Sequence, residues 1–272
     1  MGDLVEKRFI MEAFFCWRFM EKINLNDFDF SNNYIKEPGF ENGIVYSNDK
    51  ERIKMLLNIP YEDKEILLEK LETIEKLNVD GVILPKTLIM YEGYLDGYIM
   101  EYPLRAKSFD KMFTSHPYED IRQMLIAIKR ASLVVRNMHK NNIVANDISL
   151  NNFVMDINGN VFFTGIETSS YDTYSYPYIS KFLKDFIGNK EIDITKDTDK
   201  LLLVLNAIYL FYLKDIRKLS KIRYRKISKD IQSLQNIEKY AMGLRKKNID
   251  IEQLPYIDEL LDLNDYGYLK RI

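Results

Sequence analysis

One stretch in the middle of the chain constrains the fold more than any other. Asp147 lies on a loop after a predicted helix, and Asn152 follows five residues later. An apolar strand is predicted from Phe153, the dipeptide Asn158-Gly159 favours a tight hairpin turn, and Val161-Phe162-Phe163 is predicted to be the return strand. An Asp/Asn pair in a turn usually caps local backbone. The Asp/Asn pair alone therefore indicates little, and the informative feature is the order of helix, acid, asparagine and hairpin.

The composition is that of a folded protein with no strong charge bias. Of the 272 residues, 46% are hydrophobic and 13% are aromatic, which is enough for a sizeable core in one large domain or two lobes. The formal net charge of −2 makes nucleic-acid binding an unlikely role. Cys16 is the single cysteine, so a disulfide framework is excluded. No apolar run reaches membrane-spanning length, and we expect a cytoplasmic protein.

The chain begins with a segment that is predicted to be helical over residues 4–23. Its apolar positions cover most of the helix circumference, which indicates burial on more than one side. Charged residues interrupt the apolar series, and this argues against a signal peptide. The helix either packs on the body of the chain or exposes Phe14 and Trp17 to a protein partner or a membrane surface.

A second segment with two interpretations is the basic region at 217–229. Lysine and arginine alternate there with apolar residues at helical spacing. This pattern is typical of a solvated helical face. The alternative is a surface that binds an acidic partner or nucleic acid.

The pattern changes to short strands from Tyr34 onward. Strands are predicted at 34–36, 44–46 and 51–57, with two more between 81 and 103. A helix is predicted over 61–77, and a long amphipathic helix over 118–140.

The Asp147-to-Asn152 frame resembles the D-x-x-x-x-N catalytic loop of the protein kinase family. The D-I-S-x-N-N form is similar to bacterial atypical kinases, including the kinase domains of lanthipeptide synthetases. The resemblance implies an α+β, two-lobed protein kinase-like fold. It would consist of an N-terminal helical extension at 1–33, a small antiparallel-sheet N-lobe at 34–103 and a mainly helical C-lobe at 104–272.

The resemblance also implies roles for the residues that carry it, with ATP and Mg²⁺ as cofactors. Asp147 would orient the attacking hydroxyl, Asn152 would bind Mg²⁺, and Lys54 would pair with the phosphates. A glutamate of the helix at 61–77 would hold Lys54. Glu69 is preferred for this role, and Glu72 is the alternative.

Two further parts of the nucleotide site are implied by the same resemblance. Gly39 and Gly43 would let the backbone approach the phosphates. Glu101 and Tyr102 would offer main-chain groups to adenine, as a kinase hinge does.

Two residues near the loop are expected to be structural under this interpretation. His139 ends the long helix and would be hydrogen-bonded in the interior. Asp199 begins a very apolar helix and would cap the backbone of the Asp147 loop.

The sequence departs from the kinase pattern at two places. Ala145-Asn146 stands where the family has His-Arg, so control by a phosphorylated activation loop is not expected. Gly165 stands at the position of the metal-binding Asp, while Glu167 follows two residues later. The favoured interpretation is a weakened kinase or pseudokinase. The alternatives are an active atypical Ser/Thr kinase or small-molecule phosphotransferase that uses Glu167 for metal, and a non-catalytic interaction module.

Overall fold

The chain is a mixed α+β protein in which one mostly antiparallel sheet precedes most of the helices. The computed structural model describes residues 20–30, 34–37, 43–48, 50–57, 59–103, 105–113, 121–172, 174, 183–184, 186, 193–212, 231–245 and 250–261. Three predicted features lie outside the described residues. They are positions 4–19 of the predicted helix, Gly39 and the basic region at 217–229.

Six strands form the main sheet, in the order β1-β5-β6-β4-β3-β2. All neighbours are antiparallel except β1 and β5, which are parallel. The strands are β1 (Glu21–Asn24), β2 (Ile35–Glu37), β3 (Ile44–Ser47), β4 (Glu51–Met55), β5 (Thr87–Tyr91) and β6 (Tyr94–Glu101).

Strand β1 replaces the end of the helix that was predicted over 4–23. Glu21 pairs with Thr87 and Asn24 with Met90, so the segment is held by a parallel ladder along β5. Three of its four residues are exposed. Main-chain pairing, which leaves little trace in the side-chain pattern, therefore determines its conformation.

Five helices are described, of which one packs on the main sheet and the others contribute to the rest of the core. They are α1 (Tyr61–Glu75), α2 (Phe109–Phe113), α3 (Ile121–Lys140), α4 (Lys196–Tyr212) and α5 (Gln232–Arg245). The predicted stripe of α3 is confirmed, since Leu125, Ile128, Ala131, Val135 and Met138 are all buried. Helix α3 packs against α4, most of whose residues are buried, and α1 packs on the sheet.

The stretch around Asp147 folds as predicted into a hairpin. Strands β9 (Phe153–Met155) and β10 (Val161–Phe163) pair antiparallel, and β7 (Lys107–Ser108) adds to β9. Gly159 has φ +78° in the turn, a conformation that suits glycine. Strands β8 (Ile143–Val144) and β11 (Ser170–Tyr171) pair on either side of the loop and the hairpin.

No helix in the described part of the chain is long and apolar enough to cross a membrane.

Candidate functional site

The backbone of the Asp147 loop is held by hydrogen bonds to Asp199 of helix α4. The fully buried carboxylate of Asp199 accepts hydrogen bonds from the main-chain N–H of Ala145 at 2.6 Å and of Asn146 at 3.0 Å. It also lies 2.9 Å from His139 Nε2, while His139 Nδ1 contacts the Tyr256 hydroxyl at 2.8 Å. The predicted structural roles of His139 and Asp199 are confirmed.

Asn146 ties the loop to the segment that follows the hairpin. It has φ +62°, a left-handed conformation that asparagine tolerates better than most residues. Its side-chain amide donates to the Thr168 carbonyl and the Ser170 hydroxyl, each at 2.8 Å. The residue before Asp147 thus holds the following segment through neutral hydrogen bonds.

Asp147 and Asn152 are brought together at the mouth of the loop. The Asn152 side-chain amide donates to the main-chain oxygen and to Oδ2 of Asp147, each at 2.9 Å. Both residues are only partly buried. Because the Asn152 nitrogen faces Asp147, its carbonyl oxygen is directed away and is the atom that suits a hard cation.

Gly165 lies directly against Asn152. A Cβ atom at this position would be 2.8 Å from Asn152 Nδ2, 2.9 Å from its Cγ and 3.0 Å from Phe163 Cζ. Contacts under 3.0 Å require the neighbours to shift, and here the Asn152 side chain is held by its two bonds to Asp147. Position 165 therefore has no room for a larger side chain in this arrangement.

The carboxylate that pairs with Lys54 is that of Glu167, which belongs to a 3₁₀ turn (Ile166–Thr168) after the hairpin. Burial alone would raise the pKa of Glu167, but the neighbouring Lys54 charge outweighs it and the pKa lies below its ordinary value. Tyr98 lies opposite Lys54 in the β4–β6 pair, and burial together with Glu167 raises the pKa of its hydroxyl. Glu167, the residue expected to bind a metal ion, is thus paired with Lys54.

The predicted pairing of Lys54 with a helix glutamate is replaced by this contact. Glu69 is exposed on α1, and Glu72 pairs with Lys22 of β1 at 2.7 Å. Neither glutamate lies on the face of α1 that contacts the Glu167 turn, and the α1 residue that does so is Lys70.

Lys70 is a site residue that the sequence reasoning missed. Its side chain is buried, and Nζ donates to the main-chain oxygens of Glu167 and Ser169, each at 2.6 Å. Burial lowers the pKa of Lys70 to about 7. The available signal was its spacing, since Lys70 falls on the same face as Leu67 and Ile74 in the buried stripe.

Gly43 has a structural reason to be glycine. A Cβ at this position would lie 1.9 Å from the carbonyl oxygen of Met55, so only glycine permits the β3–β4 strands to approach there.

The two predicted hinge residues lie at the end of β6. The N–H of Tyr102 donates to the Lys50 carbonyl at 2.8 Å, and its hydroxyl accepts from Arg52 Nη1 at 3.0 Å. Glu101 is exposed and pairs with Lys86. The Tyr102 amide is therefore used within the sheet rather than offered to a base.

Among the described residues, no group of three or more His, Cys, Asp or Glu side chains could hold a metal ion. No protein-family model matches the chain, and a search of the curated proteins finds no match.

Proposed function

We propose that the chain is a protein kinase-like nucleotide-binding protein that transfers phosphate weakly or not at all. The observation that carries the proposal is the Asn152-to-Asp147 contact in a loop whose backbone is capped by Asp199. In a kinase the equivalent Asp orients the substrate hydroxyl and the Asn holds Mg²⁺. Two adjacent oxygen-bearing side chains on an anchored loop suit those tasks.

The arrangement of elements supports a two-lobed kinase-like fold. Five antiparallel strands, β2 to β6, precede all the helices except α1. Helix α1 follows directly after β4, the strand of Lys54, and leads to β5. In protein kinases the phosphate-pairing lysine is on such a strand and the next helix contacts the site. Two of the later helices then hold the Asp147 loop, since α3 contacts β8 and β10 and α4 caps the loop backbone through Asp199.

Weak or absent transfer is favoured by the surroundings of Gly165. The glycine supplies no carboxylate for Mg²⁺, and its contact with Asn152 leaves no space for one. Metal ions carry much of the charge stabilisation in phosphoryl transfer. Asn152 would be left to hold Mg²⁺ with the phosphates and water.

The alternative of an active atypical kinase or small-molecule phosphotransferase draws on Glu167. This carboxylate lies two residues beyond Gly165, but it is paired with Lys54. An active enzyme would need Glu167 to exchange this pairing for a metal ion. That exchange would make nucleotide binding strongly dependent on Mg²⁺.

The proposal is tested by measuring the thermal shift that ATP causes, once with Mg²⁺ and once with EDTA. We expect ATP to raise the melting temperature equally with EDTA or Mg²⁺ present, and Lys54→Met to reduce this shift to the size that adenosine gives. A shift that requires Mg²⁺, together with turnover of ATP at ordinary kinase rates, would favour the phosphotransferase. The absence of any shift in the wild-type protein would favour an interaction module.

A further inference from the structure

Lys70 joins helix α1 to the turn that carries Glu167. Its side chain is only 1% exposed, and its ammonium group donates to the carbonyls of Glu167 and Ser169. These two carbonyls lie on either side of Thr168. One side chain from α1 therefore holds the turn at two points, and α1 packs against the same turn.

The Glu167 side chain leaves this turn toward strand β4. Its carboxylate pairs with Lys54, and the two side chains are 10% and 12% exposed. The main chain of Glu167 is thus held by α1, while its carboxylate holds a residue of the sheet. Helix α1 is thus connected to the Lys54 ammonium through Glu167.

We propose that Lys70 is a positioning residue that, through Glu167, sets the Lys54 ammonium in place for the phosphates of a bound nucleotide. This inference rests on the proposed nucleotide-binding function. In protein kinases a glutamate of the helix holds the strand lysine directly. Here the helix supplies a lysine, and the carboxylate comes from the turn after the hairpin. The connection between helix and strand lysine is kept, but it passes through one more residue.

Loss of a positioning residue and loss of a purely structural residue should change the affinities for ATP and adenosine differently. Lys54 would act on phosphates, so a displaced Lys54 weakens binding of ATP but not of adenosine. A general loosening of the fold would weaken both ligands alike. The ratio of the two affinities therefore isolates the effect on Lys54.

The test compares dissociation constants for ATP and adenosine, measured by isothermal titration calorimetry on the full chain. For Lys70→Met we expect the ATP affinity to fall by about tenfold, a typical coupling between linked groups, with the adenosine affinity unchanged. Lys64→Met is the matched control. Lys64 is also a buried lysine of α1, but it pairs with Asp96 at 2.7 Å. We expect this variant to keep the wild-type ratio.

A double-mutant cycle tests whether the effect passes through Lys54. In a Lys54→Met background, Lys70→Met is expected to cause no further loss of the ATP preference. A further loss of similar size would show that Lys70 acts independently, and it would overturn the proposal.

The remaining outcomes separate this inference from the proposed function. If the wild-type protein binds neither ligand, both fall. If it prefers ATP and Lys70→Met keeps that preference, the positioning role alone falls. Should Lys70→Met fail to fold, the nearly isosteric Glu167→Gln tests the same connection and is expected to lose the ATP preference. A gain in ATP affinity in that variant would mean that Glu167 competes with the phosphates, which would overturn the positioning role.

Discussion

The side-chain amide of Asn152 donates to both the main-chain carbonyl and the carboxylate of Asp147, at 2.9 Å each. This double contact closes the loop across five residues and fixes the orientation of both side chains. Since hydrogen bonds to charged groups contribute more than neutral ones, the contact stabilises the fold as well as the proposed site.

Asn152→Ala should therefore lower the free energy of unfolding by about 1–3 kcal/mol, as measured by urea denaturation. Asn160→Ala is the matched control. Asn160 also bonds to an aspartate, Asp156 at 3.0 Å, but on the exposed hairpin turn, and its loss should cost within about 0.5 kcal/mol. Equal costs for the two variants would contradict the assigned role of Asn152.

Gly165→Ala should destabilise the protein by about 1–3 kcal/mol, because its Cβ would approach Asn152 and Phe163 too closely. Removing the Asn152 side chain opens that space. We expect the cost of Gly165→Ala to be smaller in an Asn152→Ala background, in a double-mutant cycle followed by urea denaturation. Additive costs would mean that the contact is not the cause.

Gly165→Asp places a carboxylate where the kinase family has its metal ligand, but it displaces Asn152 from Asp147. We expect this single change not to restore phosphate transfer in a radiolabelled ATP assay. A gain of transfer over the wild-type rate would show that the loop accommodates the acid, and that Gly165 alone limits the chemistry.

Asp199→Asn should be among the most costly single substitutions. The fully buried carboxylate accepts from two main-chain N–H groups, and an amide would turn a donor toward one of them. A loss of about 3–5 kcal/mol is expected in urea denaturation. Asp197→Asn on the same turn of α4 is the control. Asp197 forms a partly exposed pair with Lys200, and its loss should cost about 1 kcal/mol or less.

Stability should rise with pH in alkaline solution because of Lys70. Its pKa is lowered to about 7 in the folded protein, from an ordinary value of 10.5. Between these values the unfolded chain binds more protons, so the free energy of unfolding increases by up to about 1.4 kcal/mol per pH unit. Lys70→Met should lack this rise between pH 7 and 10, while Lys64→Met should keep it. Parallel pH profiles for wild type and Lys70→Met would refute the expectation.

The parts of the structure that were predictable depend on local signals. The hairpin at Asn158-Gly159 and the buried stripe of α3 are encoded in a turn dipeptide and a helical period, and both are confirmed. The caps by His139 and Asp199 followed from the kinase resemblance, whose motif places these residues beside the loop.

The parts that were missed depend on contacts between distant segments. Lys54 and Glu167 come from a strand and a turn far apart in the chain, and several acids could have paired with the lysine. Lys70 lies on the buried face of α1, but no periodicity shows that a buried lysine will find two carbonyls. Strand β1 depends on main-chain pairing and carries no alternating pattern.

The parallel strand β1 also bears on how the chain avoids self-association. It covers the side of β5 that β6 does not occupy, and it is short, with Glu21 and Lys22 exposed. Without it, β5 would present unpaired main-chain groups to solvent, and such sheet edges recruit strands from other molecules. Because β1 pairs with a strand distant in sequence, its docking closes a longer loop and costs more chain entropy than pairing β5 with β6. A chain in which residues 21–24 are undocked is therefore expected to self-associate more readily than the native protein.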